Sequence, residues 1–183
     1  MAGVQVGLKD LYYALLTKDD SSTVTYGAPA KIAGAVSAKI SPAMNTGTLY
    51  ADDGPDEIFS ALGEITVELQ TKDLPISIQS VLLGHTIGED KVMVKKASDV
   101  APYMAVGFKS LKSNGKYRYV WLYKGKFQLQ EQEYKTKEDA PEFQVPTIIG
   151  TFVKRIKDNR WQSIGDEDAT GFTQAATWFN AVV

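Results

Sequence analysis

Four stretches of the sequence carry side chains that could do chemistry. The run Asp52-Asp53-Gly54-Pro55-Asp56-Glu57 sets acids around a Gly-Pro turn. That is the material of a paired-carboxylate site for acid-base work, or of a calcium site, because a hard cation wants several oxygens on a tight turn. A calcium loop, however, needs oxygen ligands at alternate positions and a closing Glu at the twelfth. The run lacks that spacing, so solvated acids are the plainer reading. Asp166-Glu167-Asp168 stands ahead of an apolar stripe of helical spacing, where acids favour a helix N-terminus. His85 is the single histidine and follows Gly84, a residue suited to closing a helix, so its simplest role is structural. A catalytic imidazole would need a nucleophile elbow such as G-x-S-x-G, and the sequence has none. Finally, residues 116–126 alternate aromatic and basic side chains, the ingredients of a stacking platform for single-stranded nucleic acid. Alternate aromatics on a strand are more often core, and a chain of net charge -2 is not the basic protein that nucleic acid selects.

Composition removes most other chemistry. With no cysteine among 183 residues, thiolate nucleophiles, disulfides, iron-sulfur clusters and Cys-type zinc sites are excluded. One histidine excludes every site built on two imidazoles. The phosphate-binding signatures G-x-x-x-x-G-K-[ST] and G-x-G-x-x-G are absent. The expectation is a protein that is no enzyme and holds no cofactor or metal. Apolar residues at 44% and charged residues at 23% suit a single globular domain over 1–183. The N-terminal residues lack a basic stretch followed by a long apolar run, and no window reaches 18 apolar residues, so the expected setting is intracellular and soluble.

The elements that must position these residues read as antiparallel β. Turn residues recur at short spacing between β-branched and aromatic runs. Strands are expected at residues 24–32, 34–40, 62–69, 103–111, 117–123, 126–134 and 146–156, the last turning at Asp158-Asn159 toward Trp161. Residues 41–60, punctuated by Gly and Pro, read as a connection longer than compact domains usually tolerate without a functional reason. A helix is expected over 75–83, with Pro75 in its first turn, Asp73 as a cap and Gly84 at its end. Ser113-Asn114-Gly115-Lys116 predicts a type I′ hairpin turn. Tyr117, Tyr119, Trp121 and Tyr123 share one strand face while Val120 and Leu122 share the other, so that strand should be covered on both sides. Phe172, Ala175, Ala176, Phe179 and Val183 predict a short C-terminal helix.

Charge is segregated. Residues 41–70 hold six acids (Asp52, Asp53, Asp56, Glu57, Glu64, Glu68) and no Lys or Arg; residues 100–130 hold six bases (Lys109, Lys112, Lys116, Arg118, Lys124, Lys126) and no acid. Two solvated faces are the simplest account. The sharper account is that the two surfaces meet between copies of the protein.

A set of ordered phrases adds a resemblance: GLKDLYYALLTKDD, LYADDGP at 49–55, LGEITVEL at 62–69, KDLP and LLGH around the helix, APY, VGFKSLKSNGKYRYVWLYKGKF, EQEYKTK and GTFVKR. Together, from Gly7 to Trp161, they resemble the major tail protein, or tail tube protein, of long-tailed bacteriophages and prophages of Gram-positive bacteria, in the phi13-type group.

The resemblance implies a β-sandwich-like tail tube fold with one flanking helix. It implies hexameric rings in which β-hairpins of neighbouring subunits join into a large barrel, stacked head-to-tail into a hollow tube that conducts DNA without binding it specifically. It further implies tape measure, tail terminator and baseplate proteins as partners, no membrane, and a place in the virion tail after synthesis in the bacterial cytoplasm. Carried onto this chain, residues 35–40 and 61–69 would line the lumen and 41–60 would be a long loop, of the kind that orders on assembly, touching the next ring. The lumen and ring-contact residues implied are Tyr50, Asp52, Asp53, Asp56, Glu57, Glu64 and Glu68, whose acids would repel DNA phosphates. A secreted tube of the type VI kind and a monomeric ligand-binding β-sandwich are the alternative readings.

Overall fold

The first long strand, β1 (Gln5–Asp19), is an element that the turn signals and periodicity do not announce, and one residue explains why. Leu8 packs toward the principal core, but so do Leu11, Tyr13 and Leu15, so the alternation slips by one between them. The slip is a bulge at Asp10, whose φ of 53° lets the register pass from Lys9 opposite Lys109 to Tyr12 opposite Gly107. Aspartate tolerates this left-handed backbone better than most residues, and its carboxylate accepts hydrogen bonds from Lys31 and, at 2.7 Å, from Lys109.

The computed structural model describes residues 3–51, 53–129, 136 and 145–183. After β1 come β2 (Val24–Tyr26) and β3 (Ala30–Ile32), two short strands where one was expected over 24–32; Gly27 and Pro29 divide them. Next are β4 (Ala35–Ala51), β5 (Gly54–Thr71), helix α1 (Ile76–Leu83), the small pair β6 (Thr86–Ile87) and β7 (Met93–Val94), β8 (Met104–Lys112), β9 (Tyr117–Phe127), β10 (Thr147–Val153) and β11 (Gln162–Asp166). The strand expected over 126–134 is shown only as the end of β9, and residues 130–134 lie outside the described residues. The fold is mostly antiparallel β, in keeping with a β-sandwich-like class.

One nine-stranded sheet runs in the order β2-β1-β8-β9-β10-β5-β4, with β3 beside β1 and β11 beside β9. Strand β9 divides it: Leu122 to Arg118 pair with β11, whereas Lys124 to Phe127 pair with β10. On one face Leu11, Ile32, Ile65, Val67, Leu69, Met104, Val106, Val120, Leu122, Phe127 and Phe152 close the main core with Leu82 and Leu83 of α1. On the other face Tyr119, Trp121 and Tyr123 are covered by Phe172, Trp178 and Phe179. Both faces of β9 are therefore buried, as its sequence predicts. Trp121 Nε1 donates to the Trp178 carbonyl at 3.0 Å, and a Cβ on Gly165 would stand 2.5 Å from the Phe172 ring, so only glycine lets this cover lie flat.

Three local expectations change. The C-terminal segment forms a 3-10 turn, Gln174–Ala176, because Phe172, Trp178 and Phe179 must all reach one flat aromatic face. Helix α1 begins after Pro75 with no side-chain cap, so Asp73 does not serve as one; Gly84, with φ of 74°, ends it as expected. The turn between β8 and β9 has positive φ only at Gly115 (82°), and Gly115 N–H donates to the Lys112 carbonyl at 3.0 Å. That is a type I turn followed by a left-handed glycine, the three-residue hairpin, in place of type I′. Among the described residues no helix is long and apolar enough to cross a membrane.

Candidate functional site

Within residues 41–60, expected as a loop, 41–51 and 54–60 are the outer half of one long β-hairpin. Strands β4 and β5, 17 and 18 residues long, stay paired from Ala35 opposite Thr71 to Ala51 opposite Gly54. The prolines that suggest a loop stand where the ladder slips, Pro42 at the step to Met44 and Pro55 at the step from Leu49 to Tyr50, while Gly47 pairs in register with Phe59 and Gly54 pairs with Ala51 at the end of the ladder. Strand β10 supports β5 only from Gln70 to Ile65. Beyond that, the hairpin is a two-stranded arm, and Met44 to Ala51 at about 3.3 Å per residue carry it about 25 Å past the body.

Side-chain alternation assigns the arm's faces. Ala38 and Ile40 point into the core, so along β4 Met44 and Tyr50 continue the core-facing row, with Leu62 and Ile58 opposite on β5. Nothing covers that row once it leaves the body: Met44 is 58% exposed, Ile58 66% and Tyr50 72%. The opposite face carries Leu49 and Phe59, also exposed. Strand β4 stands at the end of the sheet order, so its edge is open along the arm. A long, exposed, apolar edge is what solitary β-proteins avoid.

The acids singled out by the sequence do not converge. Tyr50, Asp53, Asp56 and Glu57 lie together at the arm's tip, where Tyr50 is opposite Pro55 and Leu49 opposite Glu57. Asp52 lies outside the described residues. Glu64 and Glu68 stand at the base, on the face opposite Ile65, Val67 and Leu69, with Glu68 opposite Lys39. Eleven residues of strand, about 36 Å, separate Glu57 from Glu68. Among the described residues no group of three or more His, Asp or Glu is arranged to hold a metal ion.

The basic run on β8 and β9, open in sequence to two accounts, a solvated face or a contact with the acidic segment of another copy, has partners within its own chain. Lys109 meets Asp10 at 2.7 Å; Lys124 meets Asp19 at 2.7 Å; Lys116 meets Asp168 at 3.2 Å; Arg118 meets Asp166 at 2.8 Å. Lys112, only 2% exposed in its side chain, donates to Asp166 and, at 2.7 Å, to Asp168. Lys126 lies 4.4 Å from the Tyr103 ring centroid. Asp166, Glu167 and Asp168 thus anchor the end of β11 to the β8–β9 turn; Glu167 accepts from the Tyr117 amide and the Tyr119 hydroxyl, both at 2.8 Å. They do not head a helix.

These contacts set the titration of the body. The Lys112 ammonium holds the Asp166 carboxyl down to about 2, and the Arg155 guanidinium does the same for Asp158, also to about 2. Burial works against ionisation of Asp19, but Lys124 and the amides of Ile156 and Lys157 outweigh it and keep that carboxyl low. Burial pushes the Tyr26 hydroxyl up to about 12. His85 is buried below α1, its Nδ1 2.8 Å from Asp99, which fits its structural reading.

What the sequence leaves unseen is the arm's apolar row, since Met44, Leu49, Ile58 and Phe59 are scattered among Gly, Thr and Asp until the pairing register assigns them faces. No family model matches the chain, and no curated protein matches it.

Proposed function

We propose that this chain is a structural tube protein, one that self-assembles into stacked hexameric rings forming the hollow tail of a long-tailed bacteriophage, through which DNA passes. The observation that carries the reading is the arm: a paired β-ribbon about 25 Å long whose apolar residues have no cover in the monomer. Two-stranded ribbons are marginal in water alone. Pairing the ribbon with a neighbouring subunit would bury these side chains and remove the open edge. The outer face at the arm's base fits a lumen, since Ser37, Lys39 and Ser41 on β4 and Thr66, Glu68 and Gln70 on β5 are all polar. Such a surface, with Glu64 and Glu68, would let phosphates slide rather than hold them by counterion release. The ordered phrases of the sequence supply the phage tail as the setting, with tape measure, terminator and baseplate proteins as partners and synthesis in the bacterial cytoplasm.

Sedimentation velocity over a wide concentration range, with negative-stain images of the most concentrated sample, tests it. Rings or hollow tubes are expected. A strict monomer at every concentration, with tail-initiating partners added, would overturn it in favour of a monomeric binding module.

A further inference from the structure

If arms join subunits, something on the neighbour must receive them, and the body offers one surface with the right chemistry. Strand β11 pairs with β9 along one edge, and among the described residues no strand pairs with its other edge. Its own chain does not fill that place. Strand β5 runs alongside β10 only to Ile65 opposite Phe152, then slips register and departs as the arm. The exposed side chains around this edge are apolar where a core would be. Ile164 lies opposite Val120, a core residue, and so points to the core side of the sheet, yet it is 58% exposed; Ile156 is 57% exposed and Val153 37%.

Charge selects the occupant. The turn from β10 to β11, residues 154–160, carries Lys154, Arg155, Lys157 and Arg160 against one acid, Asp158. Arg155 is buried against Asp158, but Lys154, Lys157 and Arg160 are exposed. The arm has the opposite sign: its tip bears Asp53, Asp56 and Glu57, and residues 41–70 contain no base. Both surfaces are also uncovered extensions of one core face, Ile164 on β11 and Met44, Leu62 and Ile58 on the arm.

We infer that the free edge of β11, with the basic 154–160 turn beside it, is the receptor for the β4–β5 arm of a second copy of this chain. The arm adds as a strand to β11, so that main-chain hydrogen bonds continue the sheet across subunits while the lysines meet the acidic tip. Arm and receptor are different surfaces, so each subunit gives one arm and takes another, and the chain of contacts closes into a ring when the rotation permits. This inference rests on the assembly reading above and adds the receiving surface.

Two charge-reversed proteins test it: an arm variant, Asp56→Lys with Glu57→Lys, and a receptor variant, Lys154→Glu with Lys157→Glu. All four positions are exposed, so both variants should keep the wild-type circular dichroism and melting point. Each alone should assemble only at concentrations about tenfold or more above wild type, because like charges now face each other. Mixed in equal amounts they should co-assemble near the wild-type concentration, since each acidic arm finds a basic receptor and each basic arm an acidic one, in alternation around an even-numbered ring. A receptor variant that assembles like wild type, or a mixture that fails to co-assemble, would overturn the β11 assignment while leaving the arm's role intact. Wild-type protein that never associates would overturn both.

Discussion

The body and the arm are one continuous sheet, built from the same strands, yet their charges and apolar residues are treated in opposite ways. In the body, bases on β8 and β9 meet acids drawn from distant parts of the chain: Asp10 and Asp19 of β1, and Asp166 and Asp168 at the end of β11. The aromatic residues on the second face of β9 are covered by the C-terminal segment, down to exposures of 0% for Trp121 and 1% for Tyr123. In the arm the acids have no base within residues 41–70, and Tyr50 and Phe59 are each 72% exposed. A region whose charges and aromatic rings are mostly answered internally, as the body's are apart from the edge of β11, is stabilised by its own chain. A region whose groups are not answered is either held by something else or is a standing risk of aggregation. The body's stability and the arm's function should therefore separate experimentally.

The largest effect should come from removing the cover over the second aromatic cluster. Trp178→Ala deletes a ring packed on Tyr119 at 5.7 Å and on Phe172 at 5.7 Å, and leaves Trp121 beside a cavity. Thermal or denaturant unfolding should show a loss of about 3–5 kcal/mol. A loss below about 1 kcal/mol would mean that the C-terminal segment is an accessory, and that the body is not self-contained in the sense argued.

Acid should act next, and on the body. The carboxyls of Asp166 and Asp158 sit at about 2 in the folded protein and near their ordinary value of 3.8 when unfolded. For groups depressed by folding, the stabilisation is complete above the unfolded value and is lost as pH falls through the folded one. Stability should thus decline between about pH 4 and pH 2, followed by near-ultraviolet circular dichroism. Asp166→Asn should flatten part of that decline. An undiminished decline in that variant would mean that the pairing of Asp166 with Lys112 does not hold the body together in acid.

How much of this was legible in the sequence follows the same division. Strands β8 and β9, Gly84 at the helix end and the two-sided burial of β9 were readable because local pattern and tertiary packing agree there. Strand β1 escaped because the bulge at Asp10 shifts its apolar residues from one phase to the other, and a period broken in mid-strand looks like no period. The arm reads as a loop in sequence for a related reason. Its strands have no buried face to impose strict alternation, and Gly47, Gly54 and Pro55 carry the usual marks of irregular chain. Conversely, the long-range partners of the basic run could not be read, since Lys112 and Asp166 are 54 residues apart and meet only after β11 returns to β9.

Deleting the arm should change the body less than acid does. Replacing residues 43–64 with Asn-Gly joins Pro42 to Ile65, which already lie opposite each other, through a two-residue hairpin turn. The core residues Ile65, Val67 and Leu69 remain on β5. Unfolding free energy should stay within about 1 kcal/mol of the intact chain, since among the described residues no buried side chain is removed. Assembly should vanish altogether. A truncated protein that still forms rings would transfer the assembly surface to the body.

The smallest effect on the fold, and the most specific test of the tip, comes from Asp52→Lys with Asp53→Lys. Asp53 lies in the tight connection between β4 and β5 with φ of 63°, and its side chain is exposed, so a lysine's added length extends into solvent. The left-handed backbone costs lysine somewhat more than aspartate, an increment of a few tenths to about 1 kcal/mol confined to the turn. Body stability should therefore stay within that range, while the tip changes sign. If the tip works by charge against an adjacent ring or a basic receptor, tubes should be shorter at low salt, and the difference from wild type should shrink as ionic strength rises and the Debye length contracts from about 10 Å at 0.1 M toward about 3 Å at 1 M. Normal tube length with normal DNA passage would instead leave the arm's apolar row, Met44, Ile58, Phe59 and Leu62, as the sole carrier of assembly. The contrast between body and arm would then rest on exposed carbon alone, with the acids reduced to solvation.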